Sequence, residues 1–110
     1  MKMHIKPNSL DWQNGKIEGF SGKNLIQMGN GGLKLVKVEA HATYPTHLHP
    51  NKTEYVYVLE GNPTIKIESQ VFEGVKDDFF ILPHSIAHSI ENNTATECKL
   101  LVGQLVNNII

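Results

Sequence analysis

The sequence predicts an all-β protein, a small antiparallel sandwich or barrel. Three observations lead there. No window of about 11 to 18 residues keeps apolar residues at helical spacing with caps at its ends. Short runs rich in Val, Ile, Tyr and Phe recur instead. Turn-forming clusters separate these runs throughout the chain. The 110 residues fit one domain, 1–110, and that length can hold a core without covalent staples.

Taken in order, Trp12 and Phe20 fall in an N-terminal strand pair, where packing in the core or a dimer is the default role. "GNGG" at 29–32 is a turn. The run "LKLVKVEAHATY" at 33–44 reads as a strand with Val36, Val38, Ala40 and Ala42 on one side. "EYVYVLE" at 54–60 is dense in β-formers and ends at the turn "GNP". "TIKIES" at 64–69 alternates and leads into "QVFEG" at 70–74. After the turn "EGVKD", "DFFILP" at 78–83 runs into Pro83, and "AHSIEN" at 87–92 follows the turn "PHS". "ECKLLVGQLV" at 97–106, beyond the turn "NNTAT", completes the set.

Composition excludes several function classes. Ten basic and eleven acidic residues give a formal net charge of -1, without a basic block, so no nucleic-acid partner is expected. The opening "MKMHIKPNSLDW" lacks an apolar h-region and no run is long enough to span a bilayer, so no membrane partner is expected and the protein is read as cytoplasmic. The lone cysteine, Cys98, sits in an apolar run and is expected in the core.

Chemistry gathers in "THLHPNKTEYVYVLEG" at 46–61. If "PNKT" at 50–53 closes a hairpin, His49 pairs across the ladder with Glu54. His47 faces the same way, two residues earlier. Three donors then share one patch of one sheet face, with Val56 and Val58 continuing it and Tyr55, Tyr57 and Leu59 on the other side. A further ligand must come from elsewhere, and "PHSIAHSIEN" offers His88, with Ile90 and Asn92 on the same parity. These donors suit one divalent transition metal ion, and ligand softness does not separate iron, manganese, nickel and zinc.

The two stretches resemble the paired motifs of the cupin superfamily, G-x5-H-x-H-x3,4-E-x6-G and G-x5-P-x-G-x2-H-x3-N. The resemblance spans residues 41–92 and implies a small jelly-roll β-barrel, a double-stranded β-helix. It implies His47, His49, Glu54 and His88 as the metal ligands. Three motif glycines are replaced here, by His41, Asp77 and Ser85. All three lie at expected turns, where glycine supplies a positive φ at low cost.

Three histidines and a carboxylate leave open positions on an octahedral ion for a substrate, dioxygen or water. The resemblance extends to dioxygenases such as those acting on flavonols, to isomerases, lyases and decarboxylases, and to cupins that only bind small molecules. The leading expectation is a mononuclear-metal enzyme, foremost an oxygenase, acting on a small, largely apolar, oxygen-containing substrate. The alternatives are a metal-containing ligand-binding or sensor domain and a purely structural metal. Val56, Ile90 and Phe79 or Phe80 are the expected pocket walls. The chain contains no arginine, which argues against a bidentate anion clamp. Lys34, Lys37, Lys52 and Lys66 are expected on solvated faces. His84 is a candidate general acid or base, Tyr44 and Asn92 are expected to be structural, and His41 is expected in a turn or at the rim. The outward Tyr55, Tyr57 and Leu59 stripe needs a cover, and the resemblance implies a homodimer.

Overall fold

The structure is a computed structural model that describes residues 1–107. Its strands are β1 (Gln13–Asn14), β2 (Phe20–Met28), β3 (Gly31–Val38), β4 (Thr43–His47), β5 (Lys52–Glu60), β6 (Thr64–Ile67), β7 (Gln70–Glu73), β8 (Phe79–Leu82), β9 (His88–Glu91) and β10 (Cys98–Val106). Among the described residues, helix is confined to one 3-10 turn at Pro7–Ser9. The strands form two antiparallel sheets. One has the order β1-β2-β3-β10-β5-β8 and the other β4-β9-β6-β7. This is the expected all-β jelly roll.

Alternation along the strands builds the core. Val36 and Val38 of β3, Val56 and Val58 of β5, and Leu100 and Val102 of β10 all face inward and are buried. Ile65 of β6 contributes from the facing sheet, and Cys98 is buried among these residues as expected. Burial pushes the Cys98 thiol upward in pKa, so it is held as an apolar packing group.

The long strand expected at 33–44 is two strands. β3 ends at Val38, the chain turns through residues 39–42, and β4 begins in the other sheet. Ala40 therefore lies exposed in the turn instead of continuing the buried face. The run 64–69 is also shorter than expected. β6 and β7 form a hairpin whose turn residues are Glu68 and Ser69, with Glu68 at φ 52. That turn lacks the Asn-Gly signature that marks such hairpins in sequence.

The most consequential difference concerns residues 46–54. They do not form a hairpin. β4 pairs with β9 in the four-stranded sheet, whereas β5 pairs with β10 and β8 in the six-stranded one. The loop at 48–51 crosses from one sheet to the other. Glu54 lies opposite Gln104 and Leu82, not opposite His49.

The three replaced motif glycines behave as their positions require. His41, Asp77 and Ser85 have φ of 62, 74 and 61. The left-handed conformation is retained although the glycine is not, at a cost of about 1 kcal/mol or more each. Asn92 braces the end opposite the histidine cluster. It is fully buried, and its amide nitrogen contacts the carbonyls of Val38, Glu39 and Thr96 at 3.2, 3.1 and 2.8 Å. Its oxygen accepts from the Thr94 amide and hydroxyl. The expected structural use of Asn92 is thus what the fold shows.

Candidate metal centre

His47 ends β4, His49 follows in the crossing loop, Glu54 lies on β5 and His88 starts β9. Both sheets therefore contribute. His47 and His88 are paired neighbours in the four-stranded sheet, and Glu54 faces them from the six-stranded one. One donor atom from each of the four residues lies within 4.8 Å of every other. Octahedral ligands on a first-row ion sit roughly 3 Å apart when adjacent and roughly 4 Å apart when opposite, given bonds near 2.1 Å. The cluster is thus slightly wider than a filled coordination shell.

Tautomers follow from the second partners. His47 Nδ1 lies 2.8 Å from the Pro45 carbonyl and His88 Nδ1 lies 3.1 Å from the Ile86 carbonyl. A carbonyl oxygen only accepts, so both imidazoles carry their proton on Nδ1 and turn an Nε2 lone pair inward. His88 is 2 % exposed, and its buried Nε2 finds no hydrogen-bond partner. That atom lies 3.3 Å from Glu54 Oε1. The approach is a hydrogen bond only if the proton moves to Nε2, which the Ile86 carbonyl opposes. Lone pair then faces carboxylate, an unfavourable arrangement that a cation between them reverses. The residues present fit a divalent ion.

The charge states agree. Burial is the largest influence on His49 and lowers its pKa. The Glu54 charge opposes this without cancelling it, so the ring is held neutral. Its Nε2 lies 2.9 Å from Glu54 Oε1. Burial pushes the Glu54 carboxyl upward; a His88 ring that donates from Nε2, the charges of His49 and His88 in their protonated forms, and the Lys52 ammonium more than offset that, and a bound cation would take the place of those ring protons. Glu54 is held below its ordinary value, as an anion. His88 closes the back of the cluster, whereas His47, His49 and Glu54 are half-buried and leave one side open.

Neighbouring residues sort differently from the sequence reading. Tyr44 packs edge-on against Phe20, with ring centroids 5.3 Å apart, and lies 4.7 Å from His47. It holds the His47 ring from behind. His41 lies past the far end of β3 from Glu54, so it is a turn residue and not part of the rim. His84 is exposed in the β8–β9 turn, outside the converging set. That turn docks on the crossing loop: the Ser85 amide donates to the His49 carbonyl at 2.7 Å and the His84 amide to Thr53 Oγ1 at 3.3 Å. Val56 is fully buried and forms core, not an open wall, while Ile90 and Phe80 pack partly buried against it. Lys37 stands over the Trp12 ring on the outer face, and Lys66 pairs with Glu91 at 2.9 Å. Lys34 stays exposed, as expected, whereas Lys52 and Gln104 are half-buried on the inward positions beside Glu54, which the sequence reading missed. The available signal was parity: Gln104 follows Leu100 and Val102 on the buried side of an otherwise apolar strand.

Residues 34–103 match the cupin domain as a family. The chain belongs to the cupin family. Among curated relatives, a putative germin-like protein 2-3 of Oryza sativa subsp. japonica is 25% identical over 112 residues, covering 92% of this chain and 49% of its own length. The chain spans about half the length of the curated relatives it matches. Two solved cupin-like structures show the same fold. A predicted oxalate decarboxylase from Thermotoga maritima superposes with a TM-score of 0.87 at 16% identity, covering 94% of this chain and 99% of that one. The polyketide cyclase RemF from Streptomyces resistomycificus gives 0.84 at 18% identity, covering 100% of this cupin and 87% of that chain.

Proposed function

We propose that this cupin holds one divalent transition metal ion on His47, His49, Glu54 and His88 and uses it for chemistry on a small oxygen-bearing substrate, foremost as an oxygenase. The observation that carries the reading is the buried His88 Nε2, aimed without a hydrogen bond at the Glu54 carboxylate. The open side of the cluster supports turnover over a purely structural role, because a structural site closes all positions with protein ligands. When bound, the ion supplies Lewis acidity and a place for substrate or dioxygen. The chain does the rest. Pro45 and Ile86 carbonyls fix the two tautomers, Tyr44 backs His47, and the packed Ile90 and Phe80 side chains limit water. Neighbours as different as a predicted decarboxylase and a cyclase share this fold, so the reaction is read from the site and not from the barrel.

The test is oxygen uptake by the iron-loaded protein with a panel of enediols, flavonols and thiols. Consumption with one class establishes the reading. Tight binding of a panel member without uptake or product would replace the enzyme by a metal-containing binding domain.

We also propose that two copies pair through the outer face of the six-stranded sheet. Trp12, beside Lys23 and Lys37, caps the β2–β3 side of that face. Phe79, Ile81 and Leu105 on the β5–β8–β10 side are 53%, 57% and 57% exposed, around the half-buried Tyr55 and Tyr57. Sedimentation equilibrium should give a dimer for the wild type and a monomer for Phe79→Glu/Ile81→Lys. A monomeric wild type at micromolar concentration would refute the pairing.

A further inference from the structure

The inward face of the six-stranded sheet changes character at the level of Glu54. Its deeper rows, such as Val36–Leu100–Val58, are apolar. The row Lys34–Val102–Val56 is still apolar apart from the lysine at its β3 end, and in the next row toward the cluster Gln104 lies directly opposite Glu54. Directly opposed residues hold their Cβ atoms roughly 4.5–5.5 Å apart, so the Gln104 amide lies within reach of whatever meets Glu54. Lys52 precedes Glu54 by two positions and shares its face, about 7 Å along the strand. Among the described inward positions of this sheet, Glu54 is the acidic residue and Lys34 and Lys52 are the basic ones. Lys34 leans away, with its Cδ over Gly22. Lys52 is half-buried and makes no ion pair among the described residues.

A lysine so placed works against a cation in the cluster. Three neutral histidines, one carboxylate and a divalent ion sum to a single positive charge, and Lys52 adds a second beside it. An unbalanced positive mouth attracts an anion. We propose that Lys52 and Gln104 are specificity-determining residues, and that the substrate is a small carboxylate whose charge faces the Lys52 ammonium while the Gln104 amide donates to it. The inference rests on the metal-centre reading and replaces the largely apolar substrate expected from the sequence. A single ammonium with one amide suits a monocarboxylate, which a point charge can hold without an arginine fork.

The test uses cobalt(II)-loaded protein and two probes of the same shape, glycolate and its neutral amide, glycolamide. Metal content is measured first for every protein. A wild type that takes up no cobalt refutes the metal centre itself. With cobalt bound, the visible spectrum should titrate with glycolate. Lys52→Gln should weaken glycolate roughly three- to tenfold, the factor for a partly screened charge several ångströms away, and leave glycolamide unchanged. Lys52→Arg should restore the preference, and Gln104→Leu should weaken both probes. Full cobalt content with an unchanged glycolate-to-glycolamide ratio in Lys52→Gln overturns the inference, as does failure of the loaded wild type to bind glycolate.

Discussion

His88 Nε2 and Glu54 Oε1 approach to 3.3 Å from opposite sheets, and no hydrogen bond joins them. A bound cation would link the two sheets through this pair and relieve the facing lone pairs. Replacing His47 and His88 together with Ala should therefore abolish stoichiometric metal, as read by elemental analysis of the purified protein. Chelation of the wild type should also lower its unfolding temperature. A ligand at a hundred times its Kd contributes about 2.7 kcal/mol, and the double variant should show no such response to chelator. Retained metal in the double variant would remove the assignment.

The same pair shows what sequence can convey. The identities and spacing of His47, His49, Glu54 and His88 are local facts, and they pointed to a cluster. The manner of convergence was not local. A four-residue loop after His49 serves equally to close a hairpin or to cross between sheets, and the choice is made by β10, which pairs with β5 from some forty residues away. Alternation likewise marked Val36 and Val38 as core, but it ran on through Ala40 because nothing in "VEAHA" announces a turn. His41 adopts φ 62 without being glycine. Gln104 and Lys52 were hidden for a related reason: their importance comes from strand register beside Glu54, which no local motif records.

Asn92 should prove a stability residue and not a site residue. Its side chain is fully buried and engages three backbone carbonyls, from the end of β3, the turn after it and the turn before β10. Asn92→Ala leaves those acceptors without their donor and opens a polar void. A loss of about 2–4 kcal/mol is expected in chemical denaturation. Metal content per folded chain should be unchanged. Asn92→Asp should be at least as damaging, because a carboxylate cannot donate to those carbonyls.

Gly61 is irreplaceable on two independent grounds. Its φ is 85, and an added Cβ would meet Cys98 Sγ at 2.7 Å and the Glu97 carbonyl at 3.0 Å. Moving Cys98 would disturb a fully buried core position. Gly61→Ala combines left-handed strain with overpacking, and a cost of about 2–3 kcal/mol is expected. The double variant Gly61→Ala/Cys98→Ala separates the two. It should recover part of the Gly61→Ala loss relative to Cys98→Ala alone, and strict additivity in the thermodynamic cycle would show that the contact plays no part.

On the outer face of the four-stranded sheet, Glu91 gives a pH dependence whose sign follows from its partners. Its Oε2 lies 2.9 Å from Lys66 Nζ, and its Oε1 accepts from Asn93 at 3.2 Å. Glu73, on the same face, is engaged by the Thr64 hydroxyl. The contact with Lys66, followed by the bond from Asn93, lowers the Glu91 pKa from its ordinary 4.5. A carboxyl whose folded value is depressed stabilises the fold above its unfolded value, and that contribution is lost as pH falls through the folded value. With chelated protein, wild type should therefore exceed Glu91→Gln in unfolding midpoint at pH 7. The gap should hold down to about pH 5, narrow below 4.5 and close once both forms of the carboxyl are protonated. Lys66→Met should shrink the same gap at neutral pH. A difference between wild type and Glu91→Gln that stays constant through the acid range would mean that the ion pair contributes nothing through its charge.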